Sequence, residues 1–197
     1  APVVDRWLYR TVGVRWTADL PKQHFFDGQL QEVYQAAQPL FESGYVLLSD
    51  WSRDRNRVVL FGERAGDAGA YYVYEPSTKK LRSVGMQYPS LSTNESLGER
   101  RAILYSARDG TQIPAYLTLP AGLEAKQLPL VLLVHGGPHQ RDSFTFNWWA
   151  SFLASRGYAV LQPNFRGSTG YGYDWFNAGR GGWGDGVMQT DVEDGVE

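Results

Sequence analysis

The 197-residue sequence contains no cysteine, which excludes disulfide bridges, thiolate metal sites and a cysteine nucleophile. It also lacks an excess of either charge, because 19 Lys and Arg against 21 Asp and Glu leave a formal net charge of −2. This balance excludes the basic surface typical of proteins that bind nucleic acid or anionic membranes. No long apolar run and no signal peptide are visible. We expect a soluble protein whose targeting stays open, with the cytoplasm favoured over the periplasm.

Histidine is scarce too, with three residues, and their spacing argues against a metal site. His135 and His139 are separated by Gly136-Gly137-Pro138, which prevents a helix from presenting both rings on one face. His24 has no other histidine near it in the sequence. The glycine spacing after Arg166 does not match the dinucleotide-binding motif, and no GxxxxGK motif occurs. We therefore predict neither a metal nor a cofactor.

Aromatic residues are abundant, with 7 Trp, 12 Tyr and 9 Phe, and they favour broad β-surfaces over helical bundles. Four short apolar or alternating runs are separated by turn-forming clusters and predict consecutive strands. These runs are Tyr45–Ser49, Arg57–Phe61, Tyr71–Tyr74 and Lys80–Val84. Four such strands form an antiparallel meander, which is also one blade of a β-propeller, although a β-sandwich gives a similar local pattern. Residues 8–16 predict one or two further strands upstream.

One helix is predicted within this first half. Asp27 is placed to cap a helix over residues 28–41. The apolar residues of that segment recur on one helical face, namely Leu30, Val33, Tyr34 and Ala37. Because Pro39 has no amide proton to continue the hydrogen-bond ladder, we expect the helix to end early.

The pattern changes after residues 88–99, a polar segment without periodicity that is typical of a connection between domains. Residues 101–106 and 114–119 are predicted strands joined by an Asp-Gly turn. Leu130–Val134 is apolar at every position, which predicts a strand buried on both faces of a parallel sheet.

A helix and a further strand complete a predicted β-α-β unit. The helix is expected over residues 147–156, and Gly157 ends it. Its inward-facing side chains are expected to be the large apolar ones, namely Trp148, Trp149, Phe152 and Leu153. Residues 158–162 form the next predicted strand, so the second half is predicted to be α/β.

The strongest chemical signal is His135-Gly136-Gly137-Pro138, directly after the apolar strand. A Gly-Gly pair at the carboxyl end of a parallel strand lets the backbone turn sharply and leaves amide N–H groups facing outward. Enzymes that transfer acyl groups need such donors where the carbonyl oxygen becomes negative, and an HGG-type loop supplies one of them in α/β-hydrolases. The alternative interpretation is a tight turn in which the glycines serve shape alone.

In chain order these segments resemble a known family. HGGPH is followed by WWASFLASRGYAVLQPNFRGSTGYG, by Trp183-Gly184 and by a Met-Gln-x-Asp-x-x-Asp-Gly run that starts at Met188. This order is similar to the acylaminoacyl-peptidase and dipeptidyl-aminopeptidase-like branch of the prolyl oligopeptidase family. Trp51-Ser52-Arg53-Asp54 and the Tyr-Tyr strand resemble the last propeller blades of those enzymes. The resemblance is dense over residues 101–197 and looser over residues 45–91.

The resemblance implies a mixed fold. Residues 1–90 would be the C-terminal part of a β-propeller, and residues 91–197 the N-terminal portion of an α/β-hydrolase domain, truncated before the nucleophile elbow. It also implies a serine peptidase that hydrolyses short peptides through an acyl-enzyme and releases N-terminal aminoacyl or acylaminoacyl residues. Two alternatives stay open: an esterase-type α/β-hydrolase, and a catalytically inert fragment or propeller binding module.

By the same resemblance, the Gly137 N–H would be an oxyanion donor, and Gly136 would allow the turn. Five further residues are implied to line the substrate cavity or to orient the loops around it, although each is equally well explained by surface or packing roles. They are His139, Arg141, Phe144, Phe146 and Arg166.

The catalytic triad is not predicted within these residues. No GxSxG nucleophile motif occurs, and the nearest imitation, around Ser168, has Arg166 where the first glycine belongs and follows the wrong strand. The motif gives His135 a structural place. Four aspartates come too early in the chain for the triad acid, and helix capping and surface charge account for them better. They are Asp174, Asp185, Asp191 and Asp194. Residues 1–197 alone are therefore predicted to be inactive.

The remaining expectation concerns partners. The chain stops inside a predicted helix whose apolar face holds Met188, Val192 and Val196, before the strand that would pair with Leu130–Val134. Because that apolar strand would otherwise be an open edge, we expect the remainder of the same enzyme to accompany this chain, as a continuation or as a clipped segment. The other expected partner is a short peptide substrate, with neither nucleic acid nor membrane, and homo-oligomerisation stays open.

Overall fold

The structure is a computed structural model that describes residues 1–91, 97–181 and 184–196. The chain divides into two compact units, Ala1–Asn94 and Glu95–Glu197. Part of the predicted connection (residues 92–96), Trp183 of the Trp-Gly pair and the terminal Glu197 lie outside the described residues. No helix in the described ranges is long and apolar enough to cross a membrane.

The first unit contains two antiparallel sheets. A three-stranded sheet is formed by β1 (Pro2–Asp5), β2 (Arg10–Thr17) and β3 (Pro21–Phe25). A four-stranded meander is formed by β4 (Tyr45–Trp51), β5 (Val58–Glu63), β6 (Ala70–Glu75) and β7 (Lys80–Met86). All four predicted strands of the meander are confirmed. The three-stranded sheet was predicted incompletely, because β1 is short and β3 carries polar residues at most positions.

Helix α1 (Gly28–Ala37) fills the space beside both sheets. Asp27 caps it, because the Asp27 carboxylate accepts a hydrogen bond from the Leu30 amide at 3.2 Å. The helix ends at Ala37, and a 3-10 turn (Gln38–Phe41) that contains Pro39 follows, so the early end is confirmed. The predicted apolar face is buried in full. It packs in a core with Phe41 of the 3-10 turn and with residues of β2 to β6, namely Val12, Phe25, Val46, Leu48, Trp51, Val58, Leu60 and Tyr74.

A buried carboxylate ties this unit together. Asp5, which is 1% exposed, accepts hydrogen bonds from the amides of Trp7 and Leu8, from the Trp51 indole and from Arg55. Arg55 also binds the Asp27 carboxylate at 3.0 Å, which links β1 to the start of α1. Burial raises the pKa of Asp5, but the hydrogen bonds and the Arg55 charge outweigh it and hold this pKa below its ordinary range.

We expect Asp5 to make the first unit sensitive to acid. A carboxyl group whose pKa is lowered by folding stabilises the fold above its unfolded pKa of about 3.9, and this contribution is lost as pH falls through the folded value. Asp5→Asn should lower the free energy of unfolding by about 1–3 kcal/mol at neutral pH and flatten its decline below about pH 4. Urea unfolding at several pH values measures both effects.

Asp50 offers the matched control for this experiment. It pairs with Arg6 at 2.9 Å, and the Arg6 and Asp50 side chains are 61% and 38% exposed. Asp50→Asn is therefore expected to cost less than about 1 kcal/mol. Equal acid sensitivity in both variants would contradict the role assigned to Asp5.

The second unit is an α/β structure. Its sheet contains β8 (Glu99–Ser106), β9 (Gln112–Leu119), β10 (Leu130–Leu132) and β11 (Ala159–Pro163), in the order β10-β11-β9-β8. Its helices are α2 (Trp148–Ala154), α3 (Tyr173–Ala178) and α4 (Val187–Glu193), and a 3-10 turn (Asp194–Val196) follows α4. Strands β10 and β11 are parallel and flank α2 in the chain, so the predicted β-α-β unit is confirmed.

The burial predicted for Leu130–Val134 is wrong. Strand β10 covers three residues and lies at an edge of the described sheet, with β11 as its neighbour. Leu130 is 41% exposed and Val134 is 43% exposed. The physical reason is that a strand becomes buried only when elements cover both its faces and both its edges, and the described residues supply cover on one side.

The inward face predicted for α2 is also wrong. Asn147 caps the helix as its start requires, but the buried residues are Ala150 and Ala154. The aromatic residues Trp148, Trp149 and Phe152 each remain more than half exposed, and Leu153 is half-buried. Helix α2 packs against β9 and β11. Small side chains allow the helix to approach this closely. A Cβ atom added to Gly98 would lie 3.3 Å from the Ala154 Cβ.

Helix α4 departs from its predicted apolar face in the same way. Met188 is buried as expected, but Val192 is half-buried and Val196 is exposed. Two aspartates that were predicted to be capping or surface charges are buried instead, Asp191 at 0% and Asp194 at 7% exposure. Arginine partners explain their burial, because a carboxylate can leave water when a guanidinium compensates its charge.

Candidate functional site

The HGG segment forms the loop that follows β10. Gly137 has a φ of 120°, and a Cβ atom added there would lie 2.9 Å from the Gln140 Cγ and 3.0 Å from the His139 amide nitrogen. Gly136 has no such φ and has open space around it. The conformational requirement for glycine therefore lies at Gly137, which corrects the expectation that Gly136 allows the turn. Within the described residues, neither glycine amide donates a hydrogen bond to the protein.

A second loop, which follows β11 and spans residues 164–172, supports the HGG loop. The His135 ring stacks on Phe165, with 4.5 Å between ring centroids and 16° between planes. The His135 Nε2 atom lies 2.9 Å from the Ser168 Oγ atom. His139 reaches the Gly167 carbonyl through Nδ1 at 2.8 Å, and its ring packs against Phe176. The two loops therefore form one surface at the carboxyl end of the parallel strands.

Ser168 is unsuited to act as a nucleophile in this arrangement. Its side chain is fully buried, and its hydroxyl donates a hydrogen bond to the Phe165 carbonyl at 2.7 Å. A nucleophilic serine must instead expose its oxygen to the substrate. The geometry agrees with the structural place that the sequence motif gives to His135.

Arg166 holds the 164–172 loop from its other side. Its guanidinium binds the buried Asp191 through Nε and Nη2, the latter at 2.5 Å, and its amide donates to the same carboxylate at 2.9 Å. Its Nη1 atom binds Asp109 at 2.6 Å. The hydrogen bonds to Asp191 raise the pKa of Arg166 above its usual range, and the amide of Thr111 together with Arg166 lowers the pKa of Asp109 to about 2. Arg166 therefore connects the loop to α4 and to the β8–β9 turn.

Arg108 makes a parallel connection at the end of α4. It donates to Asp194 from its backbone amide at 2.6 Å and from its side chain at 2.8 Å. Its Nη2 atom also binds Glu193 at 3.0 Å. Of the other two predicted surface aspartates, Asp174 lies exposed in the first turn of α3, and Asp185 is exposed before α4.

The other residues predicted to line the substrate cavity lie between the HGG loop and α2. Arg141 binds the hydroxyl groups of Tyr171 at 3.0 Å and Tyr116 at 3.3 Å, and its guanidinium stacks over the Tyr171 ring. Phe144 packs against Tyr116 with 5.7 Å between centroids. Phe146 is half-buried. His139, Arg141 and Arg166 are thus brought to the 164–172 loop, whereas Phe144 contacts β9.

Asp142 is a residue of this site that the sequence argument missed. Burial raises the pKa of its carboxyl group, although nearby His135, Arg100 and Arg141 and a hydrogen bond from Gln162 oppose this. Asn164 donates to the Asp142 carbonyl and accepts from the Asp142 amide, which binds this segment to the start of the 164–172 loop. Asn164 begins the NFRGSTGYG run, which was the available signal, but the sequence does not show which partner it has.

A cleft of about 290 Å³ lies between the segment that follows β10, the start of α2 and Gln162 of β11. Among the described residues, His135 is the one residue of the predicted HGG loop that lines this cleft. Asp142 and the exposed tryptophans of α2 line it as well. The residues that line it are Leu133, Val134, His135, Asp142, Asn147, Trp148, Trp149 and Gln162. No group of three or more His, Cys, Asp or Glu side chains in the described ranges is arranged to hold a metal ion.

The chain is similar in sequence to known peptidases. The sequence pattern of the prolyl oligopeptidase family matches residues 144–197. The chain is 42% identical over 134 residues to dipeptidyl aminopeptidase BIII of Pseudoxanthomonas mexicana, covering 64% of this chain and 19% of that protein. It is 37% identical over 147 residues to dipeptidyl peptidase family member 6 of Caenorhabditis elegans, covering 64% of this chain and 20% of the relative. The chain therefore spans about a fifth of the length of these relatives.

The chain is also similar in fold to a solved structure. The structure of a puromycin-hydrolyzing peptidase from Mycobacterium tuberculosis superimposes with a TM-score of 0.60 and 25% sequence identity. The superposition covers 76% of this chain and 24% of that one.

Proposed function

The chain belongs to the prolyl oligopeptidase family, and we propose that the whole protein is a serine peptidase that hydrolyses short peptides through an acyl-enzyme. One observation carries the proposal beyond the family. The HGG loop follows the parallel strand β10, and at this end of the sheet it presents two backbone amides without protein partners among the described residues. An acyl-transfer enzyme needs such amides to stabilise the negative charge of its tetrahedral intermediate.

Gly137 is the residue we assign as oxyanion donor in this peptidase. Its positive φ directs the turn, and no side chain at Gly136 or Gly137 stands in front of the amides. A donor at this position is pre-organised, because the rigid loop needs no rearrangement as charge develops. Gly136 would then act as the adjacent amide in the same turn.

The substrate is proposed to be a short peptide from which an N-terminal aminoacyl or acylaminoacyl group is released. The similarity to a dipeptidyl aminopeptidase supports cleavage near an amino terminus. His139, Arg141, Phe144 and Phe146 are proposed to form part of the substrate wall, and Arg166 to hold the loops around it. The half-burial of the first four leaves each with surface for a ligand.

The arrangement proposed for the whole enzyme assigns the first unit to the end of a β-propeller and the second to the opening of an α/β-hydrolase domain. The four-stranded meander β4–β7 supports the first assignment, and the β-α-β unit supports the second. The open edge of β10 and the exposed aromatics of α2 support cover by further elements of the same enzyme. Nucleophile, acid and base would come from those elements, and residues 1–197 alone would be inactive.

Labelling with a fluorophosphonate probe tests the proposal. In the whole protein, we expect one active serine to be labelled at a position outside residues 1–197, and heat-denatured protein to remain unlabelled. Aminoacyl and acylaminoacyl amides should then be hydrolysed in preference to short-chain esters. Mapping the labelled peptide by mass spectrometry identifies the serine.

Other outcomes separate the alternatives. Labelling combined with a preference for esters would indicate an esterase-type hydrolase. Absence of both labelling and peptide hydrolysis would indicate a binding module or an inert fragment. Labelling at Ser168 would contradict the assignment of that buried hydroxyl to a structural role.

A further inference from the structure

The 164–172 loop contacts the HGG loop through several independent interactions. His135 stacks on Phe165 and hydrogen-bonds to Ser168, as described above. The Thr169 amide donates to the Gln140 carbonyl at 3.0 Å, just beyond the glycines. The contacts therefore lie on both sides of Gly136-Gly137 in the chain, so the position of the glycine amides depends on the position of the 164–172 loop.

The His135 imidazole lies between Ser168 and the backbone of the HGG loop. A serine hydroxyl has one proton, and Ser168 donates it to the Phe165 carbonyl at 2.7 Å. The His135 Nε2 atom lies 2.9 Å from the Ser168 oxygen, and the His135 Nδ1 atom lies 3.1 Å from the Gly136 carbonyl oxygen, so the imidazole links Ser168 to the glycine backbone. Because Ser168 is fully buried, water does not offer His135 a substitute partner at this point.

The 164–172 loop is itself held by contacts with α3 and α4. The Arg166 amide and guanidinium both bind the buried Asp191, and the Gly167 amide donates to the Trp175 carbonyl at 2.8 Å. A Cβ atom added to Gly167 would lie 2.2 Å from the Met188 Cε, so α4 packs directly against the loop. Ser168 therefore stands on a rigid base, and rigidity in this base limits the movement of His135.

We propose that Ser168 is a positioning residue for catalysis, which acts through His135 to hold the Gly136-Gly137 amides where the oxyanion forms. This inference rests on the proposed peptidase function. Ser168 touches neither substrate nor reacting atoms. Its effect is to restrict the HGG loop to the geometry in which the amide donors reach the developing charge. Loss of this restraint weakens interactions made in the transition state more than those made with bound substrate.

The test compares Ser168→Ala with Ser155→Ala in the whole enzyme. Ser155 also donates its hydroxyl proton to a backbone carbonyl, that of Phe152 at 2.7 Å, but it is exposed at the end of α2 and has no hydrogen bond to the HGG loop among the described residues. We expect Ser168→Ala to lower kcat by about 10-fold to 100-fold with KM changed by less than about 3-fold. Ser155→Ala should leave both unchanged.

A peptide aldehyde provides the readout that a purely structural role would not move. Its adduct with the active serine places an oxyanion against the donors, so Ser168→Ala should weaken aldehyde inhibition in parallel with kcat, while a non-covalent product peptide binds as before. Equal kcat and equal aldehyde inhibition in the two serine variants would overturn the proposal. A wild-type enzyme without peptidase activity would overturn the proposed function instead.

A second pair of variants covers the case in which Ser168→Ala fails to fold. His135 is half-buried, so His135→Ala removes the same hydrogen bond with less disturbance to the interior. It should lower kcat and aldehyde affinity together, and His135→Gln, whose side-chain amide can both donate and accept a hydrogen bond, should recover part of both losses. Identical behaviour of the two His135 variants, with wild-type kcat, would equally overturn the proposal.

Discussion

Gly137→Ala is expected to lower kcat by about 100-fold or more while leaving KM close to its wild-type value. The φ of 120° at Gly137 is strained for any residue with a Cβ atom, and that atom would lie 3.0 Å from the amide nitrogens of both His139 and Gln140. Backbone atoms cannot move aside as a flexible side chain does, so the loop itself must shift. Such a shift moves the amide donor away from the position at which the oxyanion forms.

Two glycines elsewhere separate this effect from general backbone strain. Gly157, at the end of α2, has a φ of 93° with open space around it, so Gly157→Ala introduces the same kind of strain without a collision. It should reduce stability by about 1 kcal/mol and leave kcat unchanged. Gly136→Ala meets neither a positive φ nor a neighbouring atom, so its effect on kcat should be much smaller than that of Gly137→Ala. Wild-type kcat in a folded Gly137→Ala enzyme would contradict the oxyanion assignment.

Local signals account for the elements that were predicted correctly. Helix α1 follows from a capping Asp27, an apolar face at helical spacing and Pro39, all of which act within a few residues of one another. The meander strands follow from alternating runs separated by turn residues. The position of the HGG loop after a strand followed in the same way, since strand and turn are adjacent in the chain. Which glycine adopts the left-handed conformation was not predictable, because it depends on how closely the backbone of His139 and Gln140 approaches each glycine.

Burial proved less predictable than secondary structure. The apolarity of Trp148 and Phe152 indicates that their burial would be favourable, but it does not indicate which face of α2 a neighbouring element will cover. Close approach to the sheet selected the small face of Ala150 and Ala154 instead. The same limit applies to β10, whose exposure depends on what lies beyond its open edge.

Charged residues were the hardest to place, because their partners are distant in the sequence. Asp194 is bound by Arg108, which lies 86 positions earlier in the chain, and Asp191 is bound by Arg166, which lies 25 positions earlier. A carboxylate within a predicted helix is usually exposed, so burial of Asp191 becomes predictable only when the arginine on the 164–172 loop is known to face it. The support of the candidate site thus rests on tertiary pairings without a local sequence signal.

The largest stability effect in the second unit is therefore expected at Asp191. Asp191→Ala should lower the free energy of unfolding by about 3–5 kcal/mol, because Arg166, whose side chain is 13% exposed, would remain charged and largely buried without its main partner. The raised pKa of Arg166 reflects the same dependence on that carboxylate. Urea unfolding of the whole protein, followed by the fluorescence of its tryptophans, measures the loss.

The exposed pair of Arg101 and Glu99 serves as the control, since both side chains are about half exposed or more and 2.8 Å apart. Glu99→Ala should lower the free energy of unfolding far less than Asp191→Ala does, and added salt should reduce even that loss, whereas the Asp191 effect should change little with salt. Replacing both partners, as Arg166→Met with Asp191→Leu, should recover part of the loss because no uncompensated charge remains. Recovery stays incomplete, since the Arg166 amide also donates to Asp191 and would lose its acceptor. Equal losses in Asp191→Ala and Glu99→Ala would show that the buried pair does not hold the loop.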